Sequence, residues 1–141
     1  MAYDNENIFA KILRGETPAF KVYENDHCLS FLDVMPQSDG HTLVLPKVSV
    51  ENIFDLGPDA AATLMHSVQH VARGVHNAFD PDGIKLMQFN GAAAGQTVFH
   101  LHIHIVPCYE GQALRRHAGS MAPTETLERH AEKIRSALGQ L

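Results

Sequence analysis

Phe99-His100-Leu101-His102-Ile103-His104-Ile105-Val106 is an uninterrupted alternation of apolar residues and histidines. Successive side chains of a strand point to opposite faces, so this period of two predicts a strand over residues 98–106 with His100, His102 and His104 on one side. Phe99, Leu101, Ile103 and Ile105 then enter the core. At ten histidines in 141 residues, the i, i+2, i+4 spacing arises by accident in about 5% of such chains. Read by itself, the stretch allows a solvated strand face as well as a site.

Working outward, residues 84–89 form a second strand, joined to the first by Asn90-Gly91-Ala92-Ala93-Ala94-Gly95-Gln96 as a hairpin with a long, small-residue loop. Leu64, Val68, Val71, Val75 and Phe79 recur at helical spacing, which predicts a long helix with Pro58 in its first turn and Asp80-Pro81-Asp82-Gly83 as its breaker. A short amphipathic helix over 7–13, stopped by Gly15 and Pro18, precedes strands over 20–23, 28–32 and 42–45. Leu127, Ala131, Ile134 and Leu138 mark a C-terminal helix. The order helix, three strands, helix, two strands, helix predicts an α+β fold, a largely antiparallel sheet with helices packed on it. The length suits one domain over residues 1–141.

Composition narrows the function. Hydrophobic residues at 45% and charged residues at 19% describe a folded chain rather than a disordered one. The net charge is −5 and the lysines and arginines are scattered, which argues against nucleic-acid binding by phosphate neutralisation. The polar, acidic start is not a secretory signal and no apolar run reaches membrane-spanning length. Cys28 and Cys108, without a Cys-x-x-Cys spacing, read as reduced thiols of a cytoplasmic protein.

Three imidazoles on one face suit two chemistries. A zinc ion needs its ligands at about 2.0–2.1 Å, whereas the outer two histidines of a straight strand start about 13 Å apart, so zinc would need His41 or a carboxylate as well. Phosphoryl transfer uses all three, as nucleophile, proton donor and orienting neighbour. An imidazole of pKa about 6.5 is largely neutral at pH 7 and attacks without special activation. Its phosphorus–nitrogen adduct is opened by water once the nitrogen is protonated, which requires no cofactor. The segment Gly91–Thr97 is not a phosphate-binding P-loop: its spacing is one residue short, Gln96 stands where lysine is required, and a strand follows where a helix should start.

Residues 100–106 resemble the signature of the histidine triad (HIT) nucleotide-binding family, His-φ-His-φ-His-φ-φ with φ apolar. Gly40-His41-Thr42-Leu43-Val44-Leu45-Pro46-Lys47 is similar to its Gly-His-x-Leu-Val-x-Pro-Lys segment, and Gly95-Gln96-Thr97-Val98 to its phosphate loop. Ile8-Phe9-x-x-Ile12 with Phe31-Leu32-Asp33-Val34-x-Pro36 resembles its nucleoside pocket. The resemblance covers residues 7–107, leaving 108–141 as a C-terminal specificity segment and helix. It implies a five-stranded sheet, a homodimer paired through the long helix, and a purine nucleotide substrate cleaved at its α-phosphate, a phosphoramidate or a dinucleoside polyphosphate. His102 would carry the nucleotidyl group and His104 would assist the leaving group, with His100 and His41 as a supporting relay. Asp33 would bind the ribose, Phe9, Ile12, Phe31 and Val34 the base, and Gly95, Gln96 and Thr97 the phosphate, with Asn90 at the loop entrance.

Blander readings stand beside these. Phe9, Ile12 and Phe31 suit a core equally well, and Asp33 suits a turn. His66, His70, His76, His117 and His130 read as solvated residues. The sequence also departs from the family pattern. Cys108 follows Pro107 where many members carry arginine, a contact that Arg115 or Arg116 would have to supply, and Phe89 rather than Asn90 falls nearest the usual asparagine position. No Cys-x-x-Cys follows Asn7 to hold zinc, and no C-terminal tryptophan is present. A nucleotide-binding regulatory module without turnover is the alternative from another functional class, and a zinc protein is a third.

Overall fold

The structure, a computed structural model, describes residues 2–116 and 119–141; His117, read above as solvated, lies outside them. A short helix α1, Ile8–Leu13, begins where Asn7 caps it, the Asn7 side chain accepting from the Ala10 amide at 2.9 Å. Strands β1 (Lys21–Glu24), β2 (Cys28–Leu32) and β3 (Thr42–Pro46) follow. Helix α2, Pro58–Phe79, has Pro58 at its first position, and Asp80 ends it in the left-handed conformation (φ 47°). Strands β4 (Gly83–Met87) and β5 (Ile103–Cys108) and helix α3 (Thr124–Leu138) complete the chain. The five strands lie in the order β1-β2-β3-β5-β4, every neighbouring pair antiparallel.

The sheet is covered on both faces, so β2 and β3 are buried at every position instead of alternating. On one face, Leu64, Val68, Val71 and Val75 of α2 meet Val44, Leu101, Ile103 and Ile105, and Leu127, Ala131 and Ile134 of α3 join them. Each such side chain contributes about 1.5–3 kcal/mol by leaving water. On the other face, Phe9 and Ile12 of α1 pack on Leu29, Phe31, Leu43 and Leu45. His102 and His104 belong to this second face, where they meet Phe9 and Phe89.

Two strands, β4 and β5, depart from the sequence expectation by two residues or more at an end. The last strand does not run over 98–106: pairing with β3 starts only at Val44↔Ile103. Proline at 46 has no amide to donate, and its carbonyl accepts from the His100 ring at 2.8 Å instead of from a neighbouring backbone. Residues 99–102 are thereby drawn out of the ladder, with the Leu101 amide bonded to Val50 O at 2.9 Å. Strand β4 likewise stops at Met87, where its pairing with β5 ends opposite His104; beyond it the Gln88 and Asn90 side chains bond to each other at 2.7 and 2.9 Å, and Asn90 also accepts from the Ile53 amide.

Candidate active site

A cavity of about 420 Å³ opens between α1, the β2–β3 turn and the loop before β5. Phe9, Ile12, Phe31 and Leu43 belong both to the apolar cluster under α1 and to the cavity wall, so the core and pocket readings of these residues are one. Asp33 and Val34 complete that wall, and His102 and His104 form its floor with ring centroids 5.0 Å apart. Phe9 stands edge-on to His102 at 4.8 Å.

The protonation pattern follows from the hydrogen-bond partners, since a carbonyl only accepts and an amide only donates. His102 Nδ1 lies 2.6 Å from the His100 carbonyl oxygen, so Nδ1 carries the hydrogen and Nε2, across the ring, carries the lone pair. The Gln37 amide donates to His41 Nδ1 at 3.0 Å, which puts the hydrogen of neutral His41 on Nε2. That Nε2 sits 2.9 Å from His104 Nδ1, which therefore accepts, and the hydrogen of His104 falls on its own Nε2. The cavity floor so presents one imidazole with a lone pair and a neighbour with a donor N–H.

His100 departs from the expectation that three rings share one surface. It is fully buried and does not border the cavity, and its ring is held by Tyr3 and Pro46. Burial pushes its pKa below the ordinary histidine value, which keeps it neutral. Nor do His100 and His41 form one relay: His41 bonds to His104, while His100 reaches His102 through its backbone carbonyl.

Asp33 sits in the turn and also borders the cavity. Its Oδ1 accepts from the Met35 amide at 2.9 Å in the turn, and its Oδ2 lies 3.5 Å from His41 Nε2 at the cavity wall. Gly95 and Thr97 border the cavity, but Gln96 does not. The buried Gln96 side chain braces the loop, accepting from the Gly91 amide and donating to the Glu51 and Val98 carbonyls. The amides of Gly95 and Gln96 are also committed, to Ala92 O at 3.0 Å and Gly91 O at 3.1 Å, which leaves Thr97 as the candidate phosphate contact. Asn90 is a loop brace rather than a cavity residue, for the bonds described above, and Phe89 takes its place on the wall against His104 at 5.6 Å. Cys108, Arg115 and Arg116 stay away from the cavity; Arg115 pairs with Asp39 at 2.7 Å, so neither arginine replaces the missing one. Met35 and Met121 at the rim carry no periodic or motif signal that would have revealed them; Met121 is placed by the Ala122 amide bonding to Val34 O at 2.9 Å.

Among the described residues, Asp33, His41 and His104 are the group whose ligand atoms lie near enough, within 4.8 Å of one another, to hold a metal ion. The donor set does not fit. His41 would have to ligate through Nε2, the nitrogen whose hydrogen the Gln37 amide enforces by occupying Nδ1, so a cation there breaks that bond or leaves an imidazolate.

The HIT domain family matches residues 14–111 of the chain. The adenylylsulfatase HINT3 of Arabidopsis thaliana is 37% identical over 137 residues, 97% of this chain and 66% of the relative. A crystal structure of a Hit-like protein involved in cell-cycle regulation from Bartonella henselae, with an unknown ligand, superposes with a TM-score of 0.90 at 49% identity, covering 96% of this chain and 99% of that one. A zinc-bound histidine triad family protein from Mycobacterium smegmatis superposes with a TM-score of 0.85 at 34% identity, covering 96% and 94%.

Proposed function

Because the chain belongs to the HIT family, with its nucleotide-binding hydrolase fold, we propose that it cleaves a phosphoramidate or phosphoanhydride bond at the α-phosphate of a purine nucleotide through a nucleotidyl-His102 intermediate. The observation that carries this reading is the hydrogen bonding of the two cavity-floor imidazoles, His102 Nδ1 to the His100 carbonyl and His104 Nδ1 to His41 Nε2, from which a lone pair on His102 Nε2 and a hydrogen on His104 Nε2 follow. Nε2 of His102 bonds to phosphorus as the bond to the leaving group breaks, and His104 Nε2–H donates to the departing atom. An anhydride leaving group departs as its anion. An amine departs protonated, its proton relayed from solvent through His104. Water then attacks phosphorus, the phosphorus–nitrogen bond breaks, and the nucleoside monophosphate leaves as the imidazole is restored.

Asp33 binds the ribose hydroxyls, Phe9, Ile12, Phe31 and Val34 hold the base, and Thr97 holds phosphate oxygens. No lysine or arginine borders the cavity among the described residues, which favours a substrate with one phosphate and an uncharged leaving group over a polyphosphate. The Arabidopsis relative is named an adenylylsulfatase, which supports a nucleotide substrate. We further propose that no metal takes part, that the protein works in the cytoplasm, and that it is a homodimer. No helix among the described residues is long and apolar enough to cross a membrane.

The test is a rate comparison between an adenosine phosphoramidate and a diadenosine polyphosphate, with metal content measured on protein purified without added metal. The phosphoramidate should turn over faster, undiminished by chelator. Tight nucleotide binding with no turnover of either would support the regulatory-module reading instead.

A further inference from the structure

The geometry points to Tyr3 as a positioning residue for the nucleophile, acting through His100 on His102. This rests on the reading of His102 as nucleophile. The Tyr3 hydroxyl bonds to His100 Nδ1 across 97 residues of sequence, with the two rings edge-on at 5.6 Å. His100 Nε2 faces the Pro46 carbonyl at 2.8 Å and must donate to it, so Nδ1 of the neutral ring has the lone pair and the tyrosine O–H is the donor. Burial raises the Tyr3 pKa above its ordinary value, so the hydroxyl keeps its hydrogen at neutral pH.

The consequence reaches the active site because His100 lies outside the strand. Pairing with β3 begins at Ile103, so no ladder bond fixes the peptide that carries the His100 carbonyl. What fixes it is the Leu101 amide bond to Val50 and the His100 ring, clamped at both nitrogens. That same carbonyl accepts from His102 Nδ1 at 2.6 Å and selects the tautomer with its lone pair on Nε2. Tyr3 therefore helps hold a nucleophile that it does not touch.

Tyr3→Phe deletes the hydroxyl and keeps the ring. With the phosphoramidate substrate, kcat should fall about tenfold or more, as a loosened nucleophile requires, while KM stays within about twofold. Nitrogen-15 NMR of the imidazoles, on the folded ligand-free variant, should show His102 as a mixture of tautomers where the wild type shows Nδ1–H alone. An unchanged His102 spectrum overturns the proposal whatever the rate does, and so does an effect confined to KM. If the wild type proves to have no turnover, the spectra still decide whether Tyr3 sets the His102 tautomer, so that failure belongs to the functional reading and not to the clamp.

Discussion

At the scale of single residues, the site is a set of hydrogen bonds that assign protons. His41 is fully buried, takes the Gln37 amide on one nitrogen and gives its hydrogen to His104 with the other. His41→Ala leaves that amide without an acceptor and His104 without its donor. The variant should lose about 1–3 kcal/mol of stability in a urea titration, and kcat should fall at least as far as it does for Tyr3→Phe. His100 links folding to pH. Its folded pKa is lowered by burial, so between that value and about 6.5 the unfolded chain holds a proton that the folded chain does not. Its contribution is fully present above about pH 6.5 and is lost as pH falls toward the folded value, by about 1.4 kcal/mol per pH unit at most. Unfolding measured at pH 7.5 and 5.5 should show a smaller difference for His100→Gln than for wild type.

At the scale of elements, the sequence patterns found the three α-helices and five strands of the described residues, but not where the last strand starts or where the fourth ends. Alternation at 99–106 correctly put Leu101, Ile103 and Ile105 in the core and His102 and His104 on the opposite side. It could not reveal that His100 would be recruited by Pro46 and Tyr3, since those partners lie 54 and 97 residues away in sequence and have no spacing rule. The apolar cavity wall was legible because aromatic and aliphatic residues of a short amphipathic helix must face something. The loop was less so: Gln96 and Asn90 are polar residues whose hydrogen bonds close on the loop itself. Helix packing is tight at one point, Gly74 of α2, where an added Cβ would collide with the Leu138 side chain of α3. Gly74→Ala should therefore cost about 1–3 kcal/mol by overpacking despite alanine's better helix propensity, read as a lowered thermal midpoint.

At the scale of the whole molecule, β4 ends the sheet, and beside it α2 carries a groove whose lining includes Ala62, Met65, Ala72 and Leu86 together with the polar His66, Arg73 and His76. Met65 is 51% and Leu86 47% exposed, and a second copy pairing α2 with α2 would cover them and the sheet edge together. Wild type should sediment as a dimer at micromolar concentration, and Met65→Glu with Leu86→Glu should sediment as a monomer. Among the described residues, cavity and groove share no lining residue. In the cavity, the proposed chemistry forms a phosphorus–nitrogen bond at His102. The most direct measurement is acid-quenched single turnover of a nucleotide phosphoramidate, with intact-protein mass spectrometry and peptide mapping. A nucleotidyl group on the peptide containing His102, formed and then lost within the time of one turnover and absent in His102→Ala, is the expected result. Product release at the full rate with no adduct at any time, or undiminished turnover by His102→Ala, would contradict it.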